Sequence, residues 1–189
     1  MDTAIITLDI INEICHPDGK LARFSDRISN KKIIDRINSI TDWGRKKDFL
    51  IIHVRVGFRP SYADASTRAT LFIHAKKNRA LAINEWGGQF CETLEVLPDD
   101  IQIIKHRVSA FYGTDLDLIL RANDIKQLVF TGVSTNNAVE LSAREAHDRD
   151  YQVTIVEDAT ECASDEEQAA SIKALSRIST WRLTDELIQ

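Results

Sequence analysis

The feature that most constrains the fold is the alternation of short apolar segments with longer segments of helical periodicity. Five apolar segments span residues 4–9, 49–56, 101–105, 127–132 and 152–157, and three of them end in a charged residue. Nearly continuous apolar runs of this length are typical of strands that are buried on both faces of a parallel sheet. A shorter segment at residues 180–183 predicts a further strand near the end of the chain.

The segments between these strands predict helices. Helical periodicity covers residues 25–46, 115–123, 137–149 and 164–178. The last of these opens with Ser164 and with Glu167 three residues later, which is the pattern of a capping box. Because alternating strands and helices are joined by right-handed crossovers, we expect one α/β domain over residues 1–189, with a parallel sheet between two layers of helices. Residues 57–100 have weaker periodicity and predict an excursion that partly covers one edge of the sheet.

Charge and composition argue against several classes of function. The net charge is −5 and the 24 Lys and Arg residues are scattered, which disfavours a nucleic-acid or anionic-membrane surface. No apolar run approaches the roughly 20 residues that a membrane-spanning helix needs. The three cysteines have no C-x-x-C spacing, and the start of the chain has no signal-peptide pattern. We therefore expect a cytoplasmic protein without a nucleic-acid or membrane partner.

Two charged residues, Asp9 and Lys105, stand at the ends of predicted strands. The carboxyl ends of parallel strands meet at one end of the sheet, where α/β proteins bind ligands. A carboxylate there is partly desolvated, and its pKa can shift toward the range that acid–base chemistry needs. Taken alone, Asp9 also fits a turn or a helix cap, and Lys105 also fits a surface residue with a buried stem. We predict that the two form a charged pair in one pocket.

A Gly-containing turn at residues 131–139 leads from a strand directly into a helix. Such a turn directs backbone N–H groups into the cleft, where they can stabilise an oxyanion. The same residues also fit an ordinary connection in which Ser134 or Thr135 caps the helix. Ser134 and Asn137 are the candidate oxyanion-stabilising or substrate-binding residues of this turn.

The order and spacing of several segments resemble those of a known family. The segments are Asp9-Ile10-Ile11-Asn12, Lys105-His106-Arg107-Val108-Ser109-Ala110-Phe111 with Thr114, Gly132-Val133-Ser134-Thr135 with Ala138-Val139, Ala143-Arg144-Glu145-Ala146, and Asp158-Ala159. Together they resemble the isochorismatase-like hydrolases, also called the cysteine-hydrolase superfamily. The resemblance implies a six-stranded parallel sheet, a small-molecule substrate, and a homodimer or larger homo-oligomer. It also implies that Asp9 is an acid or base, that Lys105 is its electrostatic partner, and that the Val133–Ser134 peptide bond is cis.

Ala138 departs from the family pattern, because the family's nucleophilic cysteine belongs at this position. A methyl group cannot attack a carbonyl, so the thiol mechanism does not carry over to this sequence. Cys15 lies in a loop that could approach the pocket, but the motif places none of the three cysteines in the nucleophile's position. The family's nicotinamidase branch also has a metal site of Asp and His residues. Residues 53–59 here contain one His and no D-x-H pattern, so we expect no metal and no cofactor.

Further residues are candidates for the wall of the pocket. Arg55 and Arg59 could bind a substrate carboxylate through their planar guanidinium groups, although a solvated or structural role fits each of them as well. Phe111 and Trp86 could line the pocket, although aromatic side chains more often pack in a core.

Three functional hypotheses follow from these residues. In the first, the protein is a hydrolase that acts without a thiol and uses Asp9 as proton donor, as the resemblance to true isochorismatases, which cleave a vinyl ether, implies. In the second, it is an amidase-type cysteine hydrolase whose nucleophile has been replaced by Ala138. In the third, it is a catalytically silent binding or interaction protein. Asp9 and Lys105 favour catalysis, because a buried charge pair seldom adds stability by itself.

Overall fold

Six strands run parallel in a single sheet in the structure, a computed structural model that describes residues 2–189. The strands are β1 (Thr3–Leu8), β2 (Leu50–Val56), β3 (Ile101–Lys105), β4 (Gln127–Val133), β5 (Gln152–Glu161) and β6 (Thr180–Arg182), in the spatial order β3-β2-β1-β4-β5-β6. The chain moves from β1 outward to β2 and β3, and then returns to the other side of β1 with β4. The predicted parallel sheet is confirmed, and its order reverses between β1 and β4, where open α/β sheets bind ligands.

The helices are shorter than the periodicity suggests. They are α1 (Asn12–Cys15), α2 (Ser25–Asn30), α3 (Ile33–Lys46), α4 (Thr70–Lys77), α5 (Leu116–Ala122), α6 (Glu140–Asp148), α7 (Asp165–Leu175) and α8 (Thr184–Leu187). Within residues 2–189, no helix combines the length and the apolar character that crossing a membrane requires.

The prediction of one continuous helix over residues 25–46 is wrong. Lys32 has a φ of 54° in the left-handed region, and it separates α2 from α3. Ile28 and Ile33 are both buried against the same face of the sheet. Residues five positions apart point in different directions on one continuous helix. The break at Lys32 therefore lets both isoleucines reach the core.

The core lies on both faces of the sheet. Apolar side chains of α2, α3 and α8 pack on one face, and those of α5, α6 and α7 pack on the other. A third apolar cluster surrounds Phe58 and contains Ile11, which follows β1. Isolated bridges join Phe58 to Ala82 and Ile11 to Phe90. The 57–100 excursion therefore lies over the carboxyl ends of β1 and β2, and the expectation that it partly covers one edge of the sheet stays a prediction.

His53 is a fully buried histidine in β2. Its Nε2 lies 3.2 Å from Oδ2 of Asp100, which also accepts a 2.6 Å hydrogen bond from Nη2 of Arg45. Its Nδ1 has no hydrogen-bond partner in the part of the chain that the structure describes. Burial lowers the pKa of His53 below its ordinary value of 6.5, although the Asp100 carboxylate acts in the opposite direction.

The free energy of unfolding is expected to fall as the pH falls below about 6.5, because His53 then binds a proton in the unfolded chain but not in the folded one. A difference of one bound proton changes this free energy by at most about 1.4 kcal/mol per pH unit. Urea unfolding at pH values on either side of 6.5 measures the slope. The His53→Gln variant lacks the titrating ring and is the control, so an equal slope in that variant would contradict the assignment.

Candidate active site

Asp9 directly follows β1, at the carboxyl end of the sheet, and is 4% exposed. Its backbone has a φ of 55°, a left-handed conformation that aspartate adopts more readily than most residues do. This conformation turns the chain away from the strand direction. The carboxylate Oδ1 accepts a 2.7 Å hydrogen bond from the backbone N–H of Val56, at the end of β2. The neighbouring strand therefore fixes the orientation of the carboxylate.

Lys105 is the last residue of β3, two strands away from Asp9, and its side chain is 1% exposed. Its Nζ lies 2.8 Å from Oδ2 of Asp9, so the long side chain reaches across the end of β2. The ammonium also donates to the carbonyl oxygens of Val108, at 2.8 Å, and Arg107, at 3.3 Å. An ammonium has three N–H donors, and each has an acceptor here. The predicted contact between Asp9 and Lys105 is confirmed.

Two opposing effects set the protonation of Asp9. Burial raises the pKa of this carboxyl above its ordinary value, while Lys105 and the Val56 N–H favour the ionised form and act against the rise. A carboxyl group with a raised pKa gives up and regains a proton at a pH closer to neutrality than a surface aspartate does. This property suits a general acid or base.

The turn after β4 provides backbone donors. The Val133–Ser134 peptide bond is cis, as the resemblance implied. Thr135–Val139 then form a single π-helical turn that leads into α6. The N–H groups of Thr135 and Asn136 donate to no acceptor in residues 2–189, and Asn136 borders a cavity beside Asp9. An N–H group in this position can stabilise an oxyanion. Asn137 donates to Oγ of Ser134 and so holds the turn together.

Gly132 allows β4 to approach β1 closely beside this turn. It has a φ of 106°, and a Cβ atom at this position would lie 2.1 Å from the carbonyl oxygen of Leu8. A side chain would therefore be strained by the backbone conformation and would also clash with β1.

The Gly132→Ala variant is expected to lose at least about 2 kcal/mol in free energy of unfolding, because backbone strain and overpacking add. Gly113→Ala is the matched control: Gly113 has a φ of 69°, also in the left-handed region, but a Cβ there meets no atom of the described chain within 4 Å. The control should therefore lose only the contribution from backbone strain. Equal losses in the two variants, measured by urea unfolding, would show that the contact with Leu8 does not matter.

A cavity of about 270 Å³ opens beside the Asp9–Lys105 pair. Five of the residues predicted for the site border it: Asp9, Lys105, Ser134, Asn137 and Ala138. Ala138 is 3% exposed and presents a methyl group to the cavity. The structure thus brings together the charged pair, the turn and the small residue within that turn.

Three of the predicted site residues, Arg55, Phe111 and Trp86, do not border this cavity. Arg55 donates to the carbonyl oxygen of Gly88 and lies over the ring of Phe90, so its guanidinium is already engaged. Phe111 is a core residue. Trp86 is 48% exposed, and its ring meets the edge of His16 beside a different cavity. Arg59 also lies outside the cavity and is paired with Asp64 on the surface.

Other residues of the cavity were missed by sequence reasoning. Arg23 and Phe24 come from the loop before α2, Phe72 comes from α4 in the excursion, and Arg107 follows β3. Glu167 also borders the cavity, and its carboxylate accepts a 2.9 Å hydrogen bond from Nδ2 of Asn136. The predicted capping box at the start of α7 is therefore half formed. Ser164 Oγ accepts from the Glu167 N–H as predicted, but the Glu167 carboxylate faces the cavity.

The cysteines and the possible metal ligands lie outside this arrangement. Cys15, Cys91 and Cys162 are buried free thiols, and none of them borders the cavity beside Asp9. Over residues 2–189, the His, Cys, Asp and Glu side chains form no group of three or more that could hold a metal ion.

Comparison with known proteins identifies relatives over almost the whole chain. The family model for the isochorismatase domain matches residues 3–186. Ureidoacrylate amidohydrolase RutB of Caulobacter segnis is 32% identical over 177 residues, which cover 87% of this chain and 74% of the relative.

Solved structures show the same fold. An isochorismatase-like hydrolase from Alkaliphilus metalliredigens has 26% identity and a TM-score of 0.82, with 100% of this chain and 98% of that chain covered. N-carbamoylsarcosine amidase from Thermoplasma acidophilum has 25% identity and a TM-score of 0.81, with 98% of each chain covered. The similarity therefore extends over the whole fold.

Proposed function

This chain belongs to the isochorismatase family of hydrolases, and from that premise we propose that it hydrolyses a small molecule without a thiol nucleophile. The observation that carries the proposal is the buried ion pair of Asp9 and Lys105, which borders the cavity together with the methyl group of Ala138. A thiol in any of the three native positions would lie outside this cavity. Water is therefore the nucleophile that the proposal requires.

Asp9 moves the proton in the proposed reaction. In its protonated form it donates a proton to the substrate as the scissile bond is polarised. A water molecule then attacks the activated carbon and gives its released proton to the Asp9 carboxylate. The bond between that carbon and the leaving nitrogen or oxygen breaks, and the leaving group departs as an amine or an alcohol. Lys105 remains charged throughout and stabilises the carboxylate each time that it forms. The Asn136 N–H, which has no acceptor within residues 2–189, would stabilise negative charge on a substrate oxygen.

The lining of the cavity supports a small substrate with both apolar and polar parts. Phe24 and Phe72 supply apolar surface, and Arg107 and Asn137 supply polar groups. A cavity of about 270 Å³ is near the lower limit of ordinary small-molecule sites. Two of the relatives are a ureidoacrylate amidohydrolase and an N-carbamoylsarcosine amidase. Carbamoyl and other small amides therefore belong in the set of test compounds, together with vinyl ethers.

The experiment is a turnover screen of small amides, ureido acids and vinyl ethers. It follows the release of ammonia or of a carbonyl product, and the Asp9→Asn variant runs in parallel. The proposal expects at least one class to be hydrolysed by the wild-type protein, at a rate that depends on Asp9. Binding of these compounds without turnover would instead support a silent binding protein. Turnover that does not depend on Asp9 would reject the proposed role of the ion pair.

The Ala138→Cys variant separates a pocket adapted to thiol-free chemistry from one that has lost a nucleophile. The turn and the Lys105 ammonium are expected to lower the pKa of the introduced thiol into the range of about 3.5–7.5 that such surroundings produce. It should then react with iodoacetamide near neutral pH at least about tenfold faster than the native thiols. Burial raises the pKa of one of these, Cys162, to about 11.

An exposed thiol away from the cavity, introduced by Ala122→Cys at the end of α5, is the matched control for reactivity. Amidase turnover that appears only in Ala138→Cys would favour a replaced nucleophile. A reactive thiol without amidase turnover would favour a pocket adapted to thiol-free chemistry. A thiol at position 138 that is no more reactive than the control would contradict the proposed geometry.

A further inference from the structure

Two cysteines that are distant in sequence are brought together behind the Asp9 loop. Cys15 ends α1, whereas Cys91 lies in the segment that precedes β3. An antiparallel bridge between Ile11 and Phe90 joins the two segments, and the Cys91 N–H donates a 3.1 Å hydrogen bond to the carbonyl oxygen of Ile10. Both side chains belong to the same buried apolar cluster, and each affects the titration of the other. Each cysteine is 7% exposed.

Both cysteines line a second cavity of about 510 Å³, separate from the one beside Asp9 and Lys105. This cavity gives a small polar reagent access to the thiols, although the side chains themselves are nearly buried. Cys15 also donates its S–H to the carbonyl oxygen of Asp9 at a distance of 3.7 Å. The thiol pair therefore contacts the backbone of the residue that binds Lys105.

The contact makes the two thiols chemically different. Hydrogen bonding to Cys91 raises the pKa of Cys15 well above its ordinary value, and burial acts in the same direction. The same contact lowers the pKa of Cys91. Because the thiolate is the reactive form, Cys91 is the residue of the pair that an oxidant attacks first.

We propose that Cys15 and Cys91 form a redox-active dithiol that closes to a disulfide when hydrogen peroxide enters the second cavity. The Cys91 thiolate attacks one peroxide oxygen, which gives a sulfenic acid and, with one proton, releases one water molecule. The Cys15 sulfur then attacks the Cys91 sulfur, the S–O bond breaks, and the hydroxyl leaves with the Cys15 proton as a second water molecule. Two thiols are oxidised by two electrons, and one peroxide is reduced to two water molecules.

Closing the disulfide would change the loop after β1. The bond would tie α1 to the segment before β3, and it would remove the S–H donor from the carbonyl oxygen of Asp9. The disulfide would therefore couple the oxidation state of Cys15 and Cys91 to the backbone of Asp9. This inference does not depend on the proposed hydrolase activity, since it concerns thiols outside the candidate active site.

The test treats the native, dilute wild-type protein with hydrogen peroxide, alkylates the remaining thiols after denaturation, and maps the peptides by mass spectrometry. Two of the three thiols should be lost, with a mass decrease equal to two hydrogen atoms. The peptides of Cys15 and Cys91 should be cross-linked, and dithiothreitol should reverse the change. Cys162→Ser is the control and should behave as the wild type does. In Cys15→Ser, dimedone should trap a sulfenic acid on Cys91.

Three results would overturn the inference. One is retention of all three thiols at a peroxide concentration that oxidises free cysteine in the same tube. Another is oxidation of Cys162 as fast as that of Cys91. The third is a cross-link between two chains, seen as a dimer on a non-reducing gel.

Discussion

Replacing Asp9 with asparagine is expected to lower the turnover number by about 10²–10⁴-fold, which is the usual contribution of a positioned general acid or base. Asparagine preserves the size of the side chain, and its carbonyl oxygen can still accept the hydrogen bond from the Val56 N–H. It cannot release or accept a proton near neutral pH. The measurement is kcat on the substrate that the screen identifies, normalised to the folded fraction.

Asp100→Asn is the matched control for this prediction. Asp100 is also buried and ion-paired, with Arg45, but it precedes β3 at the end of the sheet opposite the cavity. The control should lose stability and keep its turnover per folded molecule. A similar loss of turnover in both variants would mean that the effect of Asp9→Asn comes from the fold, and Asp9 would lose its proposed role.

Replacing Lys105 with methionine is expected to lower the free energy of unfolding by about 3–5 kcal/mol, the usual cost of breaking one half of a buried ion pair. The change leaves the Asp9 carboxylate buried with the Val56 N–H as its remaining partner. It also leaves two backbone carbonyl oxygens, those of Arg107 and Val108, without their donor. Urea unfolding near neutral pH measures the loss.

The pH dependence of the Lys105→Met variant identifies the cause of its instability. Without Lys105, the pKa of Asp9 in the folded chain should rise further above its unfolded value. The folded state then binds the proton more tightly than the unfolded state does, so lowering the pH should restore part of the lost stability. Lys46→Met is the matched control, because it removes the lysine of an exposed ion pair with Asp42. This control should change the free energy of unfolding by less than about 0.5 kcal/mol. A loss of stability in Lys105→Met that does not depend on pH would contradict the explanation that an uncompensated charge on Asp9 destabilises this variant.

The sequence predicted the parts of the site that are fixed by the ends of strands. Asp9 and Lys105 stand at the ends of apolar segments. The parallel sheet brings those ends close together, independently of the conformation of the surrounding loops. The turn at Ser134 could be located for the same reason, since a strand runs through it directly into a helix. The positions of strands follow from local apolar patterns, and such patterns can be recognised in a single sequence.

The walls of the cavity could not be predicted in the same way. Phe24 comes from a loop and Phe72 from a segment of weak periodicity, and their positions depend on packing between parts of the chain that are distant in sequence. Arg55 and Trp86 lie close in sequence to residues near the site, yet their side chains are engaged elsewhere. Composition and spacing do not reveal which way a side chain points in a loop. The break at Lys32 also depends on tertiary contacts, because two isoleucines must reach one face of the sheet.

The central claim is that the chemistry needs the Asp9–Lys105 pair and no thiol. The most direct test compares turnover of the identified substrate by the wild type, by the variant in which Cys15, Cys91 and Cys162 are all replaced by serine, and by Asp9→Asn. The cysteine-free variant should keep the turnover of the wild type, since none of these residues borders the cavity, whereas Asp9→Asn should lose it. Loss of turnover in the cysteine-free variant, with its fold intact by circular dichroism, would contradict the account and assign the reaction to a thiol.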